Sequence, residues 1–85
     1  MKVAITHENF DNAIDRCKKG LTNIAIATCY RITIIKGKHL KQWENAGIPL
    51  LKKDTKSQGF YYQRGKNSDY IFAPELGAIL FEVSI

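Results

Sequence analysis

The amino-acid sequence predicts a single α+β domain in which two helices pack on a mainly antiparallel sheet. Three observations lead there. Between Phe10 and Leu21 the apolar residues recur at helical spacing, whereas most later apolar residues alternate with the strand period of two. Turn residues break the chain at short intervals, and no repeat, low-complexity tract or linker interrupts its 85 residues. A chain of this length supports one modest core, so residues 1–85 are read as one domain.

Val3–Ile5 is a short apolar run suited to a first strand. Thr6 can cap a helix over about 7–19, with Glu8 near the positive end of its dipole. Phe10, Ala13, Ile14, Cys17 and Leu21 form the buried stripe of that helix. Arg16, Lys18 and Lys19 suit its C-terminal end, and Gly20 suits the position just beyond.

Residues 24–35 read as one long central strand, bent near Thr28. Bulky Ile24, Ile26, Tyr30, Ile32 and Ile34 share one face with Thr28. The smaller face, with Ala25, Ala27 and Cys29, is open to close packing by a helix. Arg31 on that smaller face is, with Arg64, a candidate for planar, more specific contacts to a partner, or alternatively a partly buried structural cation. Gly37 punctuates the chain. A short helix is expected over 38–46, with Leu40 and Trp43 inward, Lys38 and Lys41 projecting together, and Gly47 closing it before Pro49. Pro49 forces an extended Ile48.

Leu50–Lys53, Phe60–Arg64, Tyr70–Ala73 and Ala78–Ile85 complete the chain as strands of an antiparallel meander. Polar turns lie at 54–59, 65–69 and 74–77. In the last strand Ile79, Phe81, Val83 and Ile85 share one face, and Glu82 and Ser84 the other. If that strand lies at a sheet edge, it offers a route to a homodimer.

The charge distribution is uneven. Between Lys36 and Lys66 stand eight Lys/Arg against Glu44 and Asp54, a surplus of six where the whole chain carries five. Residues 1–35 carry a surplus of two positive charges and residues 67–85 three negative ones. Trp43, Phe60, Tyr61 and Tyr62 lie within the basic stretch. Cations mixed with aromatics suit a polyanion whose bases can stack, which points to a nucleic acid. The plain alternative is a solvated lysine-rich face.

The candidate nucleic-acid-binding residues are Lys36, Lys38, Lys41, Lys52, Lys53, Lys56, Tyr61, Arg64 and Lys66. Lysine makes mobile point-charge contacts to phosphate, so the expected partner is RNA, bound with salt sensitivity and little sequence preference. On the strand around Phe60–Arg64, either Tyr61 or the set Phe60, Tyr62 and Arg64 faces outward. The stretch differs from the RNP1 pattern of RNA-recognition motifs, because Lys56 is not adjacent to Gly59. The helices lack a helix-turn-helix pattern, which favours RNA or single strands over the major groove.

Other chemistry has little support. No phosphate-binding loop, dinucleotide fingerprint or nucleophile elbow is present. His7 and His39 could cleave RNA as an acid–base pair only if the fold brought them together. Asp11 and Asp15 read as solvated carboxylates, and Cys17 and Cys29 as buried free thiols without zinc-ligand spacing. No catalytic residue, metal or cofactor is expected. No apolar run reaches the ~20 residues of a membrane span, so the expected partners do not include a membrane and the expected location is the cytoplasm.

In size, basicity and the lack of an enzyme signature, the chain resembles small counter-defence proteins of T-even-like phages. These include inhibitors of the endoribonuclease toxin of type III toxin–antitoxin systems. The resemblance implies an RNA-binding, non-enzymatic inhibitor of a host toxin ribonuclease, acting through an RNA–protein complex in the bacterial cytoplasm. It transfers no residue roles. The alternative function is a protein-interaction module that docks its basic face on an acidic host protein without nucleic acid.

Overall fold

A computed structural model describes residues 2–47, 51–63, 69–73 and 77–85. Its elements are β1 (Lys2–Ala4), α1 (Phe10–Lys18), β2 (Thr22–Ala27), β3 (Ile32–Ile35) and α2 (Gly37–Asn45). They continue with β4 (Leu51–Lys53), β5 (Phe60–Gln63), β6 (Asp69–Phe72) and β7 (Ile79–Ser84). A four-stranded antiparallel sheet has the order β1-β7-β2-β3, and β4-β5-β6 form a second, three-stranded one. The α+β architecture with two packed helices is therefore as expected, but the last four strands do not form one meander. After β6 the chain leaves the second sheet, and β7 inserts into the middle of the first. It is not an edge strand, so the expected self-pairing through it has no free edge to use.

The long strand expected over 24–35 is instead a hairpin. Thr28 closes the turn: its Oγ1 accepts the backbone N–H groups of Tyr30 and Arg31, each at 3.3 Å. Its own N–H donates to the Arg31 carbonyl at 2.9 Å. This hydroxyl offers the backbone an alternative to the ladder, and the chain reverses. Cys29 and Arg31 are consequently exposed at the hairpin tip, neither buried in a strand. Tyr30 beside them is 92% exposed.

α1 starts three residues later than expected. Thr6 and Asn9 bond reciprocally across the turn before it, Thr6 N–H to Asn9 Oδ1 at 2.8 Å and Asn9 N–H to Thr6 Oγ1 at 3.3 Å. At the other end Gly20 adopts φ +80°. Its N–H reaches the Cys17 carbonyl and that of Leu21 the Arg16 carbonyl, both at 3.0 Å, which is a Schellman closure. Leu21 thereby lies beyond the helix and is exposed, not part of the buried stripe. α2 is capped by Ala46 and followed by Gly47 at φ +74°, as its sequence indicates. The expectations for Ile48 and Pro49 lie outside the described residues.

The core lies between the four-stranded sheet, the helices and the second sheet. Cys17, Ile24, Ile26 and Ile35 are its largest fully buried side chains. Phe10, Ala13 and Leu40 cover them from the helices, and Leu51 and Phe60 from the second sheet. Each buried isoleucine contributes about 1.5–3 kcal/mol. Phe60 stacks on Phe10 with centroids 5.3 Å apart, which seats the second sheet at the start of α1.

Sheet register decides which faces are covered. Contrary to the sequence reading, helices lie over the bulky Ile24 and Ile26, while Ala25 and Ala27 belong to the opposite face. On that face Ala4, Phe81, Ala25 and Ile34 form one row across all four strands, and Ile79, Ala27 and Ile32 form the next. On β7 it is Leu80 and Glu82 that point toward the helices.

Candidate nucleic-acid interface

Five lysines line one groove. Lys18 and Lys19 come from the end of α1, and Lys36, Lys38 and Lys41 from the start of α2. Together with Gly20, Asn23, Gly37 and Ile85 they enclose about 550 Å³. Gly37 makes this proximity possible: a Cβ there would meet the carbonyl carbon of Cys17 at 3.1 Å and Lys18 Cα at 3.4 Å, with the Cys17 oxygen closer still. Only a residue without a side chain lets α2 begin against the last turn of α1.

The charges differ in how far they are already compensated. Lys18 pairs with Glu44, and Lys19 with Asp15 at 2.8 Å, which holds the Asp15 carboxyl below its ordinary value. Lys36, Lys38 and Lys41 are exposed and have no carboxylate partner among the described residues. The first turn of α2 contains no acidic residue. Cations thus gather at the positive end of a helix dipole, where anions are favoured by about 0.3–1 kcal/mol each. His39 caps this end, its Nδ1 accepting the Lys36 N–H at 3.2 Å.

The other predicted residues form a separate cluster on the second sheet. Phe60 is buried and Tyr62 packs against the core, so the opposite face of β5 carries Tyr61. Lys52 stands directly across from Tyr61 in the β4–β5 register and is exposed. A cation beside a half-exposed ring can hold a phosphate while a base stacks. Lys56 is exposed in the following turn, which Asp54 organises by accepting the Lys56 N–H at 3.1 Å and the Ser57 hydroxyl. Those two bonds, the hydroxyl first, keep the Asp54 carboxyl below its ordinary value.

Lys53 belongs to neither cluster. Its ammonium lies 3.2 Å from Asp11 and 5.8 Å from the centre of the Phe10 ring, so it serves as a clasp between the second sheet and α1. Arg64 and Lys66 lie outside the described residues. The seven predicted residues that are described therefore do not form one patch. Lys36, Lys38 and Lys41 come together at the C-terminal end of α1, and Lys52, Tyr61 and Lys56 belong to the sheet seated at its N-terminal end. Lys18 and Lys19 escaped the sequence reading because their charge was assigned to the helix dipole. The signal for them was Gly37, flanked by lysines on both sides.

The two histidines have separate structural partners. His7 Nε2 donates to the Gly59 carbonyl at 3.0 Å and its ring lies 5.2 Å from that of Phe60. His39 is committed to the α2 cap. Cys17 is buried, with its thiol pushed up chiefly by desolvation. Among the described residues no group of three or more His, Cys, Asp or Glu side chains could hold a metal ion, and no described helix is long and apolar enough to cross a membrane. Set against protein-family models, curated proteins and solved structures, the chain matches none.

Proposed function

We propose that this protein is a non-enzymatic RNA-binding protein that holds the phosphate backbone in the groove between α1 and α2. The observation that carries the reading is the convergence of Lys36, Lys38 and Lys41 with Lys18 and Lys19 at the positive end of α2. Bringing these cations together costs electrostatic energy that a bound polyanion returns. Lysine contacts to phosphate carry no sequence information, so binding is sequence-tolerant. Lys52 and Tyr61 supply a secondary contact at which a base can stack. In the context implied by the resemblance to phage counter-defence proteins, the RNA held in this way brings an inhibited host ribonuclease into the same cytoplasmic complex.

The test is fluorescence anisotropy with a labelled single-stranded RNA at several salt concentrations. Wild-type affinity should fall steeply with salt, and the triple variant Lys36→Glu, Lys38→Glu, Lys41→Glu should bind at least ~10-fold more weakly while keeping its circular dichroism. Unchanged affinity in the folded variant rejects the groove. A second reading has a specific basis, since Lys18 and Lys19 already hold carboxylates: the groove docks an acidic protein surface. Nuclease treatment of a pulldown separates the two, because a protein partner bound directly survives it.

A further inference from the structure

The two sheets end on strands of different character. At the outer edge of β1, Asn9 Nδ2 donates to the Ala4 carbonyl at 3.0 Å, and Lys2 starts the strand. β4 carries two lysines in its three residues, and β6 begins with Asp69. Such caps and charges keep edges from pairing with foreign strands. β3, the remaining edge, reads Ile-Thr-Ile-Ile, with neither a charge nor a proline.

Register fixes which backbone groups of β3 are free. Thr28 N–H donates to the Arg31 carbonyl, so the next bonded pairs are Ile26–Thr33 and Ile24–Ile35. Ile32 and Ile34 therefore turn their N–H and C=O groups away from β2, and no described residue bonds them there. Their side chains are exposed. Arg31 and Lys36 stand at the two ends of the strand, both exposed and without a carboxylate partner among the described residues.

We infer that β3 takes an extended segment of another protein as an added strand, uncharged along its middle and acidic at both ends. The backbone selects a strand. Two donors and two acceptors alternate along this edge, and a polypeptide backbone matches both kinds at that spacing. A phosphate offers acceptors alone and would leave the two carbonyls facing oxygen. Charge selects the ends. Two copies of β3 laid edge to edge, in either direction, would bring two cations together at each end, and like charges there oppose pairing. A segment with Asp or Glu on either side of the paired residues meets one cation at each end instead. Of the groove lysines only Lys36 is involved, so the inference does not rest on RNA binding.

The probe is a fluorescein-labelled peptide, Glu-Glu-Val-Thr-Val-Thr-Glu-Glu, titrated with nuclease-treated protein. Anisotropy should rise to saturation, and unlabelled peptide should shift the Ile32 and Ile34 amide resonances. Replacing its glutamates by lysines should weaken binding at least ~10-fold, as two exposed ion pairs become repulsions. Ile34→Pro deletes an outward N–H where β2 needs no bond, so the folded variant should lose saturable binding. Should that variant fail to fold, peptides N-methylated at alternate amides decide with the wild-type protein. Blocking one alternate set should abolish binding and blocking the other should spare it. No saturation by ~1 mM overturns the inference, as does equal binding by the lysine peptide, by folded Ile34→Pro or by both methylated forms. A loss of single-stranded RNA affinity in Ile34→Pro, with no peptide bound by the wild type, also overturns it and assigns the edge to nucleic acid.

Discussion

Arg16 reaches from the last turn of α1 to Glu82 at the centre of the sheet, its Nε and Nη2 donating to the two carboxylate oxygens at 2.6 and 2.7 Å. Thr22 adds a hydroxyl at 2.7 Å. The carboxylate is almost fully buried, yet every polar atom has a partner. Three elements, α1, β2 and β7, are tied by one charge.

Removing that charge should cost stability. Glu82→Gln is expected to lower unfolding free energy by about 1–3 kcal/mol at neutral pH, read as a fall in thermal midpoint of roughly 4–8 °C per kcal/mol. The Arg16 bond chiefly, with Thr22 assisting, holds the Glu82 carboxyl below the ordinary glutamate value. Its contribution is therefore complete above that value and lost as pH falls through the lower folded value. The difference between wild type and variant should narrow on acid titration followed by urea unfolding.

Gly37→Ala should be far more damaging than an ordinary surface change. The added methyl would enter the Cys17 carbonyl, and backbone cannot yield as a flexible side chain does. A loss of about 1–3 kcal/mol is expected, together with weaker RNA binding as the helices separate. Denaturant unfolding and anisotropy check the two effects.

Lysine variants should sort by cluster. Lys36→Ala, Lys38→Ala and Lys41→Ala combined should reduce the slope of log affinity against log salt by roughly 2, at ~0.7 per phosphate contact on a single strand. Tyr61→Ala should instead cost about 1–3 kcal/mol of affinity with the salt slope unchanged, since stacking carries no charge. Lys53→Ala should act mainly on stability, because its ammonium is held by Asp11.

The thiols should react in sequence. Under native conditions an alkylating reagent should modify Cys29 readily and Cys17 only after unfolding, because Cys29 is exposed and Cys17 is buried with a raised pKa. Mass spectrometry of the time course would show one adduct before two.

Local periodicity made α1 and α2 legible, down to Gly20 and Gly47 at their ends. What the sequence concealed was long-range. Ile24–Ile35 has uninterrupted strand character, so only the Thr28 side-chain turn reveals two strands. On β7 the apolar residues Ile79, Phe81 and Val83 look like the core face. The core takes the face bearing Glu82 because Arg16 and Thr22, distant in sequence, satisfy it. The lysine groove was half visible: the run at 36–41 stood out, but its meeting with Lys18 and Lys19 depends on how closely two helices approach.

The central position of β7 also has a temporal side. Thr22 and the Glu82 it bonds are 60 positions apart. At a ribosomal rate of about 5–20 residues per second, β2 waits roughly 3–12 s after synthesis for the neighbour that completes it. During that interval its isoleucines lack their final cover, and the emerging polypeptide is exposed to chaperones and to mispairing with other nascent chains.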